Sequence, residues 1–134
     1  MTRRPPLLTP LACAALVLTA FACAAPDWAG EIGQQELVER IEAGTAPLLL
    51  DVRTPGEYAA GHVPGAVNIP YDEIDARLGE IESRVPRDGE IVLYCKSGTR
   101  AGWAGSTLEE HGFTRLRHLS GDMSAWNEAE LPVE

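Results

Sequence analysis

Two stretches of the chain are apolar for the length of a strand, without alternation: "PLLLDV" (Pro47 to Val52) and "EIVLYC" (Glu90 to Cys95). Unbroken runs of this kind predict strands buried on both faces of a sheet. Between and around them the period changes. "WAGEIGQQELVERIEAG" gives a short apolar start and then a helix with Leu37, Val38 and Ile41 on one face, stopped at Gly44. "TPGEYAAG" predicts a short helix, with Thr54 as N-cap, Pro55 in the first helical position and Glu57 three residues after the cap. "AVNIP" reads as a short strand closed by Pro70, and Ile74 to Ile81 has helical spacing through Leu78. Arg100 to His111 predicts a helix ended by Gly112, "TRLRHL" alternates as a strand, and Asp122 to Asn127 can form a last turn or helix. Strands and helices thus alternate, which predicts an α/β domain with a parallel or mostly parallel sheet covered on both faces. Ligands of such sheets bind beyond the carboxyl ends of the strands, and Cys95 stands at such an end.

The first residues belong to a different pattern. Arg3 and Arg4 precede a stretch from Pro5 to Pro26 that carries no charge, and small residues follow as Ala20-Phe21-Ala22 and Ala22-Cys23-Ala24. This is the anatomy of an export signal over residues 1–25, which leaves 26–134 as one domain. "LTAFACAAPD" also looks like a lipoprotein signal in which Cys23 would be acylated; a free soluble protein is the alternative. An uncleaved anchor is the blander reading, but the apolar run is near the lower length for a span and carries Pro10. The expected location is the periplasm or cell envelope.

Charge and cysteine usage then narrow the function. The 134 residues carry a formal charge of −9, and loss of Arg3 and Arg4 would make it −11, because no acidic residue precedes Asp27. An acidic body disfavours nucleic acid and anionic membrane surfaces as partners, so the only membrane contact expected is a lipid on Cys23. Any anion site must be local. Cys13 and Cys23 fall in or beside the signal, so the domain holds Cys95 alone and has no disulfide framework.

The loop after Cys95 has a composition that favours a thiolate. A helix expected to start near Thr99–Ala101 points its positive end at the loop, Gly98 can take φ > 0 and turn amides inward, and Lys96 and Arg100 bring cationic charge. The bland alternative is an inert core thiol. The same caution applies to the neighbours. Arg100 could be an ion pair anchoring its helix, and Lys96 could be merely solvated. Arg53, beside Asp51 at the end of the neighbouring strand, reads as a brace paired with Glu57 or another acid. Glu57 is explained by its capping box, and His62 by a turn hydrogen bond. Trp103 could wall a pocket or pack in the core, while Phe113 and Trp126 read as core.

The loop Cys95-Lys96-Ser97-Gly98-Thr99-Arg100 resembles the active-site loop of the rhodanese (thiosulfate sulfurtransferase) family. "LLLDVRTPGEYAAGHVPGAVNIP" is similar to that family's first motif, and "HGFTRLRHLSGDMSAW" to its closing segment, so the resemblance runs from Ile32 to Trp126. It departs at Asp122, where a second glycine is usual. The resemblance implies a three-layer fold around a mostly parallel sheet of about five strands. It also implies a sulfurtransferase in which Cys95 carries a persulfide, served by Lys96, Ser97, Gly98, Thr99 and Arg100 and braced by Asp51, Arg53, Glu57 and His62. Small sulfur donors and acceptors would be its partners, without metal or organic cofactor, and a monomer is the simplest state. A binding or persulfide-carrier module is the alternative. A Cys phosphatase or arsenate reductase is disfavoured, because only four residues separate Cys95 from Arg100 and a phosphoryl group needs a wider cradle. The sulfurtransferase reading would collapse if the thiol were sealed from solvent with its neighbouring amides turned outward.

Overall fold

The computed structural model describes residues 29–134; the export signal, Cys13 and Cys23 lie outside the described residues. The chain forms β1 (Ala29–Ile32), α1 (Gln34–Glu42), β2 (Leu48–Asp51), α2 (Pro55–Ala59), β3 (Val67–Asn68), α3 (Leu78–Glu82), β4 (Glu90–Tyr94), α4 (Thr99–Glu110), β5 (Arg115–Leu119) and α5 (Asp122–Glu128). The strands make a five-stranded sheet in the order β1-β5-β4-β2-β3, and every pairing is parallel. The two unbroken apolar runs, β2 and β4, lie inside the sheet, where both faces must be apolar.

Alternation along β4 sorts the core into two layers. Ile91, Leu93 and Cys95 face one side and pack with Ile74, Ile81, Ala101, Ala104, Leu108 and Phe113 from α3, α4 and the adjoining turns. Val92 and Tyr94 face the other, with Leu37 of α1, Met123 and Trp126 of α5, and Val63. Phe113 and Trp126 are both core residues, as expected.

Two elements differ from the sequence-based expectation. The segment before α1 is not only an apolar start; Ala29–Ile32 is an edge strand, paired in register from Ala29↔Leu116 to Ile32↔Leu119. Four residues that include Gly30 and Glu31 carry no period of their own, and the pairing comes from β5. The helix expected over Ile74 to Ile81 is divided into a 3-10 turn at Tyr71–Glu73 and the short α3. Ile74 and Ile81 are both buried, so the spacing marked real core positions. Arg77, at φ −113 and ψ 19, breaks the continuous helix between them.

Candidate active site

The carboxyl ends of β2 and β4 are adjacent, with Asp51 paired to Tyr94 in register. The chain leaves β4 at Cys95, turns through Lys96–Gly98 and enters α4 at Thr99. Gly98 makes the turn possible. Its φ is 111, and a Cβ there would stand 3.2 Å from Asp122 Oδ2 and 3.4 Å from His118 Cε1. A side chain would meet both strain and contact. The Gly98 N–H donates to Cys95 Sγ at 3.0 Å, so this amide faces the sulfur at the start of the 12-residue helix α4. A sulfur with a backbone donor and a helix N-terminus beside it is placed to carry negative charge.

The loop is held from below by α5. The N–H groups of Met123 and Ser124 donate to the carbonyls of Cys95 (3.0 Å) and Lys96 (3.1 Å), and Ser124 Oγ adds a second bond to Lys96 O at 2.8 Å. Asp122 is 2 % exposed and has φ 54. Its Oδ1 accepts the N–H of Cys95 at 2.9 Å and faces His118 Nε2 at 2.9 Å. The side chain that departs from the family's usual glycine is therefore built into the floor of the loop. The positive φ of Asp122 is one that aspartate adopts more readily than most residues.

Of the two partners expected for Arg53, Glu57 or another acid, the second holds. Its Nη2 lies 2.6 Å from Asp51 Oδ2 and donates to Gly61 O at 2.8 Å. Two residues along one strand end, their side chains meet over the buried Tyr94, whose hydroxyl donates to Asp51 Oδ2 at 2.9 Å and accepts the N–H of Val63 at 3.1 Å. Burial pushes the Tyr94 hydroxyl well above its ordinary value, so it stays a donor. His62 makes the expected turn bond, Nδ1 to Tyr58 O at 2.9 Å, and stacks on the Tyr58 ring at 3.7 Å.

Arg100 differs from expectation. Expected to be open to a substrate anion, it is closed in a two-pronged pair on Glu57, Nη1 to Oε2 at 2.7 Å and Nη2 to Oε1 at 2.9 Å. Glu57 completes the predicted capping box as well, accepting from the Thr54 N–H at 3.0 Å. The Arg100 guanidinium holds the Glu57 carboxyl down at about 2. A planar guanidinium matched to a carboxylate is a stable partnership, and α2 presents the carboxylate at the right height. Lys96, by contrast, is exposed and has no ion pair among the described residues. It lines an open cleft of about 270 Å³ with Arg53, Glu57, Met123, Ser124 and Asn127.

Ser97 and Thr99 are exposed on the rim of the loop, but Cys95 is 1 % exposed. Half of the condition that would contradict the sulfur chemistry is therefore met, since the thiol is covered. The other half is not, since the Gly98 amide faces inward. The cause is the strand alternation that puts Cys95 on the same side as Ile91 and Leu93, under the turn into α4. Trp103 neither packs in the core nor lines the cleft. It is 54 % exposed on α4, with its ring 5.2 Å from that of Tyr71.

Sequence reasoning passed over three contributors. Tyr94 looked like one more apolar strand residue. Asn68 binds the carbonyls of Asp51 and Arg53 at 2.9 Å each, and nothing in its sequence surroundings marks it. The third is His118; its partner Asp122 was marked in the sequence by its departure from the glycine pair.

Comparison with known proteins agrees with this architecture. The family model described as "Rhodanese-like domain" matches residues 33–129. A protein named sulfurtransferase from Allochromatium vinosum is 37% identical over 103 residues, 77% of this chain and 92% of that one. Thiosulfate sulfurtransferase 16, chloroplastic, from Arabidopsis thaliana is 36% identical over 93 residues, 63% of this chain and 78% of that one. Against two further curated relatives the chain spans 59% and 51% of their length. The human single-domain sulfurtransferase TSTD1 superposes with a TM-score of 0.66 at 29% identity, over 75% of this chain and 96% of that one. With a parallel five-stranded sheet, a cysteine loop at its carboxyl end and a family match over most of the described residues, the chain belongs to the rhodanese-like domain family.

Proposed function

We propose that this protein is a sulfurtransferase that takes the sulfane sulfur of thiosulfate or a similar donor onto Cys95 and passes it to a thiophilic acceptor. The observation that carries the reading is the Gly98 N–H aimed at Cys95 Sγ at 3.0 Å, beside the N-terminus of α4. In the first step the Cys95 thiolate attacks the outer sulfur of the donor. A sulfur–sulfur bond to Cys95 forms as the donor's own sulfur–sulfur bond breaks, and sulfite leaves with the electron pair. In the second step cyanide or a thiol attacks the terminal sulfur and Cys95 returns as thiolate. This is covalent catalysis in two half-reactions. Lys96, which lines the cleft and has no ion pair among the described residues, meets the oxyanions of the donor. Arg100 braces the loop through Glu57. The rim above the covered sulfur, Lys96, Ser97 and Thr99, is exposed and is the side from which a donor would approach. The N-terminal segment supports a place in the periplasm or cell envelope, and the intact mass of protein from that fraction reads whether Cys23 is acylated.

The test is formation of thiocyanate from thiosulfate and cyanide by the purified protein. The account expects turnover that Cys95→Ser abolishes. Turnover that survives the substitution, or hydrolysis of an aryl phosphate in its place, overturns it.

A further inference from the structure

The Asp122 carboxylate lies directly against the cysteine loop. Oδ1 accepts the Cys95 N–H at 2.9 Å, and Oδ2 lies 3.2 Å from where a Gly98 Cβ would be. Gly98 in turn donates its N–H to the sulfur. The loop that must favour a negative sulfur is thus built on a buried negative group, which by itself opposes ionisation of the thiol. Among the described residues the one basic side chain within hydrogen-bond distance of that carboxylate is His118, at the end of β5, with Nε2 at 2.9 Å from Oδ1.

We propose that His118 and Asp122 form a positioning pair for Cys95: Asp122 fixes the loop through the Cys95 N–H, and the imidazolium of His118 cancels the charge of Asp122 so that the sulfur can ionise above it. This deepens the sulfurtransferase reading and rests on Cys95 being its nucleophile. Among the described residues, the charged groups acting on His118 are Asp122 from α5 and Glu31 across the β1–β5 pairing; the Cys95 backbone meets the same Asp122 oxygen. Both carboxylates favour the charged imidazole. Asp122 raises the His118 pKa above its ordinary value against the opposing effect of burial. The imidazolium is therefore present through the weakly acidic range and is lost as pH rises through the raised value. Above that point the Asp122 charge is uncompensated and the thiolate is penalised.

A double-substitution cycle tests this in the full chain. The readout is the ultraviolet absorbance of the thiolate against pH, taken as a difference from Cys95→Ser, which requires neither a donor nor access to the sulfur. His118→Gln removes the charge and leaves a neutral donor. Asp122→Asn keeps the acceptor oxygen and tolerates positive φ. The expected result is that His118→Gln moves the thiolate midpoint up by about one pH unit, a roughly tenfold loss of thiolate below it. In the Asp122→Asn background the same change should move it by less than about 0.3 unit, or twofold. Equal displacement in both backgrounds, or none in either, overturns the pair. A second reading does not depend on those variants folding. By reciprocity, His118 followed by nuclear magnetic resonance should titrate at lower pH in Cys95→Ser than in the native chain, and an unchanged titration overturns the proposal. If the coupling appears but no sulfur is transferred, the sulfurtransferase reading fails and the pair stands.

Discussion

Lys96 and Arg100 carry the same charge four residues apart, and the structure gives them different work. Arg100 is satisfied by Glu57 through two charge-assisted bonds, while Lys96 is exposed and faces the cleft. Removing each should therefore have a different signature. Lys96→Ala should raise KM for thiosulfate several-fold, on the order of 1 kcal/mol for an exposed charge contact, and leave a neutral polysulfide donor nearly unaffected. Arg100→Ala should reduce use of both donors alike and lower stability as well, since Glu57 loses its partner. Steady-state kinetics with the two donors decides this, and a donor-selective loss in Arg100→Ala would contradict it. The sequence identified the basic loop but could not say which cation would be free. That depended on Glu57, which its capping box already accounted for, standing on α2 within reach of α4.

Among the elements, α5 bears most directly on the loop. It is short, yet its first residues bind the carbonyls of Cys95 and Lys96 and, through Asp122, the N–H of Cys95. Its approach depends on Gly121, with φ 76, where a Cβ would stand 2.4 Å from Ala125 Cβ. Gly121→Ala should cost about 1–3 kcal/mol from the backbone alone and slow persulfide formation by displacing the loop. Denaturant unfolding beside the thiocyanate rate checks both, and an intact rate at reduced stability would separate α5 from the loop. Where a helix or strand carried its own period or cap, the sequence sufficed: β2, β4, α4 and the Thr54–Glu57 box all lie where expected. Where an element is defined by its neighbour, it did not. β1 is a strand because β5 offers an edge, and the docking of α5 on the loop is a long-range contact with no local trace.

Across the fold, paired charges set the response to pH. Glu36, Glu57, Glu80 and Glu90 are all held below their ordinary value by arginines: Arg117, Arg100, Arg77 and Arg40 respectively. Each contributes stability that is present above the ordinary value of 4.5 and is lost as pH falls toward the folded one, about 2 for Glu57. His118 has the opposite sign. Raised by Asp122, it stabilises fully below the ordinary value of 6.5, and that contribution fades as pH rises through its folded value. The urea midpoint should therefore be highest between about 4.5 and 6.5 and fall on both sides, with His118→Gln flattening the alkaline fall. A midpoint that climbs steadily into the alkaline range would contradict this balance.

All of the chemistry rests on one covered sulfur that can accept another. The most direct measurement is the mass of the Cys95 peptide after the protein is treated with thiosulfate. The account predicts one added sulfur on that peptide, removed by cyanide and absent in Cys95→Ser. A Cys95 peptide of unchanged mass, from folded protein in excess donor, would contradict it.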